Sequence, residues 1–270
     1  MTVPAGATPV YDALDAALRA DQPVALAAVT DGVGLGRKLL VRPGGPPVGS
    51  LGHGDLDRVV ARDALGALEA GATVTRHYGP HGEAREDTVT VFIESFAPAP
   101  RMVIFGAVDF TASLARAAKL LGYHVTVCDA RAVFATRARF PMADAVVCEW
   151  PNRYLEEHGQ ELGPRDAVCV LTHDAKFDVP AIVAALGTRV GYLGAMGSRR
   201  THAERVERLR EAGVDDAGRD RLRAPIGLDL GARTPEETAV AICAEIIATR
   251  TGRQAPSLRD TAGPIHGDRA

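Results

Sequence analysis

Several short stretches combine residue types and spacings that could do chemistry. The apolar run in "DAVCVLTHD" ends on His173 and Asp174. An imidazole beside a carboxylate can give or take a proton or ligate a metal. "GAMGSRR" brings Gly197, Ser198, Arg199 and Arg200 together at a helix start. Free backbone amides, a helix dipole and two guanidinium groups suit a phosphate. "GLDLGARTPEE" holds Asp229 between Gly227 and Gly231, where glycine permits close backbone approach or positive φ. Each stretch also has a purely structural reading. His173 and Asp174 could be turn residues with Asp174 as a helix cap. Ser198 could be an ordinary N-cap, with Arg200 paired to Glu204 one turn on. The residues alone leave both readings open.

"MVIFGAVDFTASL" raises the question of a nucleotide site most directly. A dinucleotide fingerprint reads Gly-x-Gly-x-x-Gly after a strand and before a helix. Here the three positions are Gly106, Val108 and Thr111. Gly106 keeps the tight turn. Val108 puts a branched side chain where a pyrophosphate should approach. Thr111 is a moderate loss, since a small residue still packs. Asp109 stabilises the helix start but repels a diphosphate. Asp129 ends the next apolar run, about 20 residues on, where a ribose-binding acid belongs. It could equally close a turn.

These residues need elements to position them. After the proline-rich "FAPAPRM" the pattern alternates apolar strand and helix. That is the signature of a parallel sheet buried on both faces, in a Rossmann-like domain over residues 101–251. The last helix starts on Thr234 with Pro235 and Glu237 in a capping box. Its apolar face is Ala239, Ile242, Cys243, Ile246 and Ile247. Residues 1–97 read as a smaller α+β domain. In it a helix with the stripe Leu56, Val59, Val60, Leu65 and Leu68 closes at Gly71. "VGSLGHGDLD" clusters His53, Asp55 and Asp57, read as a tight loop with Asp55 or Asp57 as N-cap rather than a metal site. Residues 252–270 are polar, rich in Gly and Pro, and expected to be disordered.

Composition narrows the classes. A net charge of -3 gives no electrostatic case for nucleic acid. No apolar run is long enough to span a bilayer, and the N-terminus lacks a signal-peptide pattern, so a cytoplasmic protein is expected. Cys128, Cys148, Cys169 and Cys243 form no C-x-x-C pair and are expected to be buried free thiols.

Four segments together resemble one family. "VIFGAVDFTASLARAAKLLGYHVTVCDAR", "VLTHDAKFDVPAIVAAL", "YLGAMGSRRTHAERVERLREAGV" and "RAPIGLDLGARTPEETAVAICAEI" look like the C-terminal Rossmann domain of xanthine dehydrogenase accessory (XdhC/CoxI-type) proteins. The region before residue 100 is similar to the family's N-terminal domain. The resemblance implies an accessory factor for a molybdenum hydroxylase of xanthine dehydrogenase or CO dehydrogenase type. Such a factor binds molybdenum cofactor, a molybdopterin, supports its sulfuration with a cysteine desulfurase, and delivers it to the apoenzyme. It is a cofactor-binding chaperone more than a catalyst, so no catalytic or metal-ligating residue is assigned. Gly106, Asp129, His173, Asp174, Gly197, Ser198, Arg199, Arg200 and Asp229 are the expected cofactor-binding residues. A homodimer is the base-rate expectation. The sequence departs from the family pattern at two loops. "GHGDLD" puts His53 and Asp55 at a glycine and a cysteine of Gly-Gly-Gly-Cys-x-Glu. "GAVD" replaces Gly-Ala-Gly-His. Two alternatives stay open: an NAD(P)-dependent oxidoreductase, and a regulatory paralogue that binds no cofactor.

Overall fold

The computed structural model describes residues 8–263 apart from 85 and 173. The chain divides into two compact units, one ending at Pro98 and the other beginning at Ala99.

In the first unit, α1 (Thr8–Arg19) leads to β1 (Val24–Gly32), β2 (Lys38–Val41) and β3 (Val48–Ser50). Then come α2 (Gly54–Ala70), β4 (Val74–Tyr78) and β5 (Val89–Phe96). The strands form one antiparallel sheet in the order β3-β2-β1-β5-β4. Period-two alternation sorts their side chains between its faces. Ala25, Ala27, Val29, Val91 and Ile93 pack with Leu56, Val60, Ala64 and Leu68 of α2. Val24 and Leu40 pack with Val10 and Ala17 of α1. Gly71 stops α2 at a φ of 60°.

Two expectations change in this unit. Leu65 leaves the α2 stripe and is 38% exposed. The α2 cap is His53, whose Nδ1 accepts the Asp55 amide at 3.3 Å. Asp57 instead holds the preceding loop, accepting the Ser50 hydroxyl and the Leu51 amide at 2.7 Å each. A carboxylate already holding two donors upstream is not available to cap its own helix.

The second unit begins with β6 (Arg101–Phe105), α3 (Asp109–Leu120), β7 (His124–Cys128), β8 (Ala145–Val147) and α4 (Pro151–His158). It continues through β9 (Ala167–Val170), α5 (Ala175–Leu186), β10 (Tyr192–Ala195), α6 (Arg199–Glu211), α7 (Asp216–Asp220), β11 (Leu222–Arg223) and α8 (Pro235–Thr251). All six strands are parallel, in the order β11-β10-β9-β6-β7-β8. The order reverses between β6 and β9, which is where open α/β sheets place ligands, outside the carboxyl ends of the strands.

Both faces are covered, which explains the continuous apolar runs. Ile104, Val127, Cys169 and Leu171 meet Leu114 of α3 and Ile242 and Ile246 of α8. Val103, Phe105, Val168 and Leu193 meet Leu155 of α4, Ile182 of α5 and Leu209 of α6. The capping box of α8 forms. The Thr234 hydroxyl accepts the Glu237 amide, and the Glu237 carboxylate accepts the Thr234 amide, each at 3.1 Å.

Ile247, expected on the buried face of α8, is 37% exposed. Cys148 is exposed, against the expectation of four buried thiols, while Cys128, Cys169 and Cys243 are buried. Burial pushes the Cys128 thiol up to about 12 and the Cys243 thiol up to about 11, so neither forms a thiolate near neutrality. Beyond α8, residues 252–263 are exposed, with a short 3-10 turn at Leu258–Asp260. Residues 264–270 lie outside the described residues.

Candidate ligand-binding site

The turn after β6 is closed by its own side chains. Gly106 sits at φ 109°, and a Cβ there would lie 2.8 Å from Cγ2 and 3.0 Å from the amide nitrogen of Thr172. No other residue type fits that approach of the β6 turn to the end of β9. The Gly106 amide donates to the Cys128 carbonyl at 2.9 Å. The Ala107 amide donates to Asp129 Oδ2 at 2.7 Å, and the Val108 amide to the Thr111 hydroxyl at 3.3 Å. The Thr111 hydroxyl itself donates to the Gly106 carbonyl. Arg139 reaches back to the Ala107 carbonyl at 3.0 Å. The three amides of a pyrophosphate cradle are thus engaged inside the protein. Thr111, at the third glycine position, ties the turn rather than merely fitting it.

Asp129 is buried, and its carboxylate accepts four hydrogen bonds from described residues. Beyond the Ala107 amide, its Oδ1 takes the Arg131 amide and Nε at 2.9 Å each, and its Oδ2 takes Arg131 Nη2 at 2.7 Å. Burial alone would raise its pKa. The Arg131 guanidinium and the two backbone amides outweigh that, and hold the carboxyl below the usual range. The acid at the ribose position therefore serves the phosphate turn.

The linkage sign follows from the lowered pKa. A folded-state pKa below the unfolded value gives stability that is present above the unfolded value, near pH 4, and lost as pH falls through the folded one. Asp129→Asn is expected to lose about 2 kcal/mol at neutral pH, the scale of hydrogen bonds to a charged group. Denaturant titrations at pH 7 and pH 3 should show the difference from wild type narrowing at the lower pH.

Beneath the ends of β9 and β10 lies a buried polar cluster with no obvious mark in the sequence. The Thr172 hydroxyl donates to Asp178 Oδ1. Asp178 Oδ2 accepts Arg205 Nη2 at 3.0 Å, and the same nitrogen donates to the Met196 carbonyl at 2.7 Å. Arg205 is 2% exposed, and its Nη1 has no hydrogen-bond partner among the described residues. Nor does Nδ1 of His202, one turn earlier on α6; burial and the nearby Arg205 charge lower that imidazole's pKa. Long helical side chains lie back over the preceding turn. Arg205 accordingly reaches the loop before α6, 3.5 Å from a Cβ built on Gly197.

The remaining expected site residues fall into two groups. Asp174 caps α5, accepting the Lys176 amide at 3.1 Å and pairing with Lys176 Nζ at 3.2 Å. The Lys176 amide, first, and then its ammonium hold the Asp174 carboxyl below its ordinary range. Arg131 adds to this, so the loops after β7 and β9 share a field. His173 lies outside the described residues. In the second group, Ser198 caps α6 by accepting the Thr201 amide at 3.1 Å, next to Gly197 at φ 148°. Arg199 and Arg200 are both 90% exposed. Arg199 comes within 3.8 Å of Asp229, and Arg200 within 3.8 Å of Glu204. Gly227 proves to be a packing glycine. Its Cβ would stand 3.2 Å from the Ile242 amide nitrogen, and its own amide donates to Glu245 at 2.8 Å. Among the described residues, no group of three or more His, Cys, Asp or Glu side chains is arranged to hold a metal.

Arg131 could have been found from its place two residues after Asp129. Arg205 could not, because in "HAERVERLRE" it reads as one more solvated charge on a polar helix.

The fold and site define a parallel Rossmann-type domain with its phosphate turn closed, preceded by a small antiparallel α+β unit. The XdhC Rossmann domain model matches residues 102–246, and that of the XdhC and CoxI family matches residues 17–79. The chain belongs to the XdhC and CoxI family. It is 34% identical over 178 residues to a protein of Bacillus subtilis (strain 168) named as a probable xanthine dehydrogenase subunit, covering 66% of this chain and 50% of that protein. It is 35% identical over 91 residues to "Molybdenum cofactor insertion chaperone PaoD" of Escherichia coli (strain K12), covering 34% of this chain and 29% of that one. The chain thus spans half or less of the length of these curated relatives. A crystal structure described as that of a xanthine dehydrogenase from Bacillus halodurans shares the fold, with a TM-score of 0.54 and 21% identity over 92% of this chain and 97% of that one.

Proposed function

We propose that this chain is an accessory factor for a molybdenum hydroxylase of xanthine dehydrogenase or CO dehydrogenase type. It binds molybdenum cofactor as cargo, assists its sulfuration and delivers it to the apoenzyme. The observation that carries this reading is the closed Gly106 turn. A hydride-transfer enzyme needs turn amides for a pyrophosphate, and here Ala107 and Val108 have given theirs to Asp129 and Thr111. The strand-order reversal between β6 and β9 remains as a place for a ligand, in a family that includes a relative named as a molybdenum cofactor insertion chaperone. Binding and release, rather than redox chemistry, suit such a site. The cargo's phosphate would meet Arg199, Arg200 and the amides at the start of α6. Asp55 stands at the family's cysteine, so sulfur would come from the partner desulfurase. That same replacement favours the second reading, a regulatory paralogue that binds no cofactor. Cytoplasmic residence and a homodimer belong to the proposal too; no described helix is long and apolar enough to cross a membrane.

Co-expression with a molybdenum hydroxylase apoenzyme tests delivery. Molybdenum occupancy of the hydroxylase should rise when this chain is present; equal occupancy with and without it contradicts the role. Arg199→Ala with Arg200→Ala should weaken a phosphate-bearing ligand about tenfold, because exposed charges contribute up to about 1 kcal/mol each. Calorimetric titration with a phosphorylated pterin reads this directly, and unchanged affinity removes α6 from the site.

A further inference from the structure

We propose that Trp150 is the stacking platform for the flat ring of the bound ligand, a 2-amino-4-oxo heterocycle of the pterin or guanine type. The choice of ring rests on the proposed function; the platform rests on geometry. β8 ends at Val147, and Pro151 opens α4. A residue before proline is held extended, and Trp150 has φ -66° and ψ 133°. Its amide is fixed by Glu149 Oε1 at 2.9 Å. The indole is therefore presented at the carboxyl edge of the sheet on a restrained backbone. Its ring lies 4.9 Å from that of Phe177, in the first turn of α5, at an interplanar angle of 38°. Phe177 backs the indole, yet Trp150 remains 43% exposed.

A single exposed indole is unremarkable by itself. This one lies at the carboxyl edge of the sheet against Phe177 of the helix that follows β9, beside groups that match one ligand class. Lys176 Nζ lies 4.9 Å above the Phe177 ring and pairs with Asp174. Arg131 acts on Asp174 from the loop after β7, and Cys148 Sγ lies 3.8 Å from the Ala130 carbonyl of that loop. Carboxylates at Glu149 and Asp174 suit the N–H edge of a 2-amino-4-oxo ring. An aromatic face supplies sequence-tolerant stacking to either ring system.

Trp150 is the single tryptophan of the chain, so its emission reports the site without labelling. The purified full chain is titrated with neopterin, with guanosine monophosphate and with inorganic phosphate, reading both emission and heat. Saturable quenching by neopterin or by guanosine monophosphate, and none by phosphate, is expected; the stronger of the two identifies the ring. Trp150→Ala should weaken that ligand about five- to hundredfold, and Trp150→Phe by about threefold at most, since phenylalanine still stacks. Binding heat with unchanged emission, binding unaffected in Trp150→Ala, or no binding of any ring each overturns the platform. Pterin that co-purifies while emission stays unchanged sinks the platform and leaves the proposed function standing. Quenching in a chain that never carries pterin does the reverse.

Discussion

Arg205→Met lowers the unfolding free energy of the second unit by about 3–5 kcal/mol, the cost of leaving one partner of a buried ion pair uncompensated. Methionine keeps much of the side chain's length and apolar contact, so the loss is chiefly that of the charge. Asp178 then keeps the Thr172 hydroxyl but loses the guanidinium 3.0 Å away, and the Met196 carbonyl loses its 2.7 Å donor. Denaturant unfolding followed by Trp150 emission, which comes from the same unit, measures the change. Combining Arg205→Met with Asp178→Leu should cost less than the two singles together, because both act on one network. A loss under about 1 kcal/mol for Arg205→Met would mean that the pair is far more hydrated than its burial indicates.

Gly106→Ala is expected to cost about 2–4 kcal/mol, from backbone strain and overpacking together. The methyl would stand 3.0 Å from the Thr172 amide nitrogen, and backbone cannot step aside as a side-chain tip can. Gly231→Ala is the internal control. Gly231 also has positive φ, 72°, but nothing lies within 4 Å of its Cβ position, so only conformational strain of about 1 kcal/mol applies. Equal losses at the two positions, read by the same denaturant titrations, would remove the close packing of the β6 turn on β9.

The difference between these glycines marks what could be read from the chain. The parallel sheet was legible because strands buried on both faces become unbroken apolar runs, and the α8 cap because Thr-Pro-x-Glu satisfies its own amides locally. Leu65 and Ile247 were misplaced because each sits at the margin of its helical stripe, where the neighbouring element decides burial. His53 took the cap from Asp55 and Asp57 because Ser50 and Leu51 claim the Asp57 carboxylate. Strands of two and three residues, such as β11 and β3, are too short to show a period.

The site was harder to read for a related reason. Losing the second and third glycines looked like a weakened phosphate cradle. Only the fold shows that Asp129, Thr111 and Arg139 convert the turn into a closed hydrogen-bonded unit. Arg205 and Asp178 are 27 residues apart, and their burial is a tertiary event that no local pattern announces.

The central claim, that the chain carries a molybdopterin, is tested most directly by its contents. The full chain is purified from cells with an intact molybdopterin pathway. Oxidised pterin is then quantified by fluorescence and molybdenum by elemental analysis. Stoichiometric pterin is the expected result. Absence of pterin, together with a thermal shift on adding NAD(P), would contradict it.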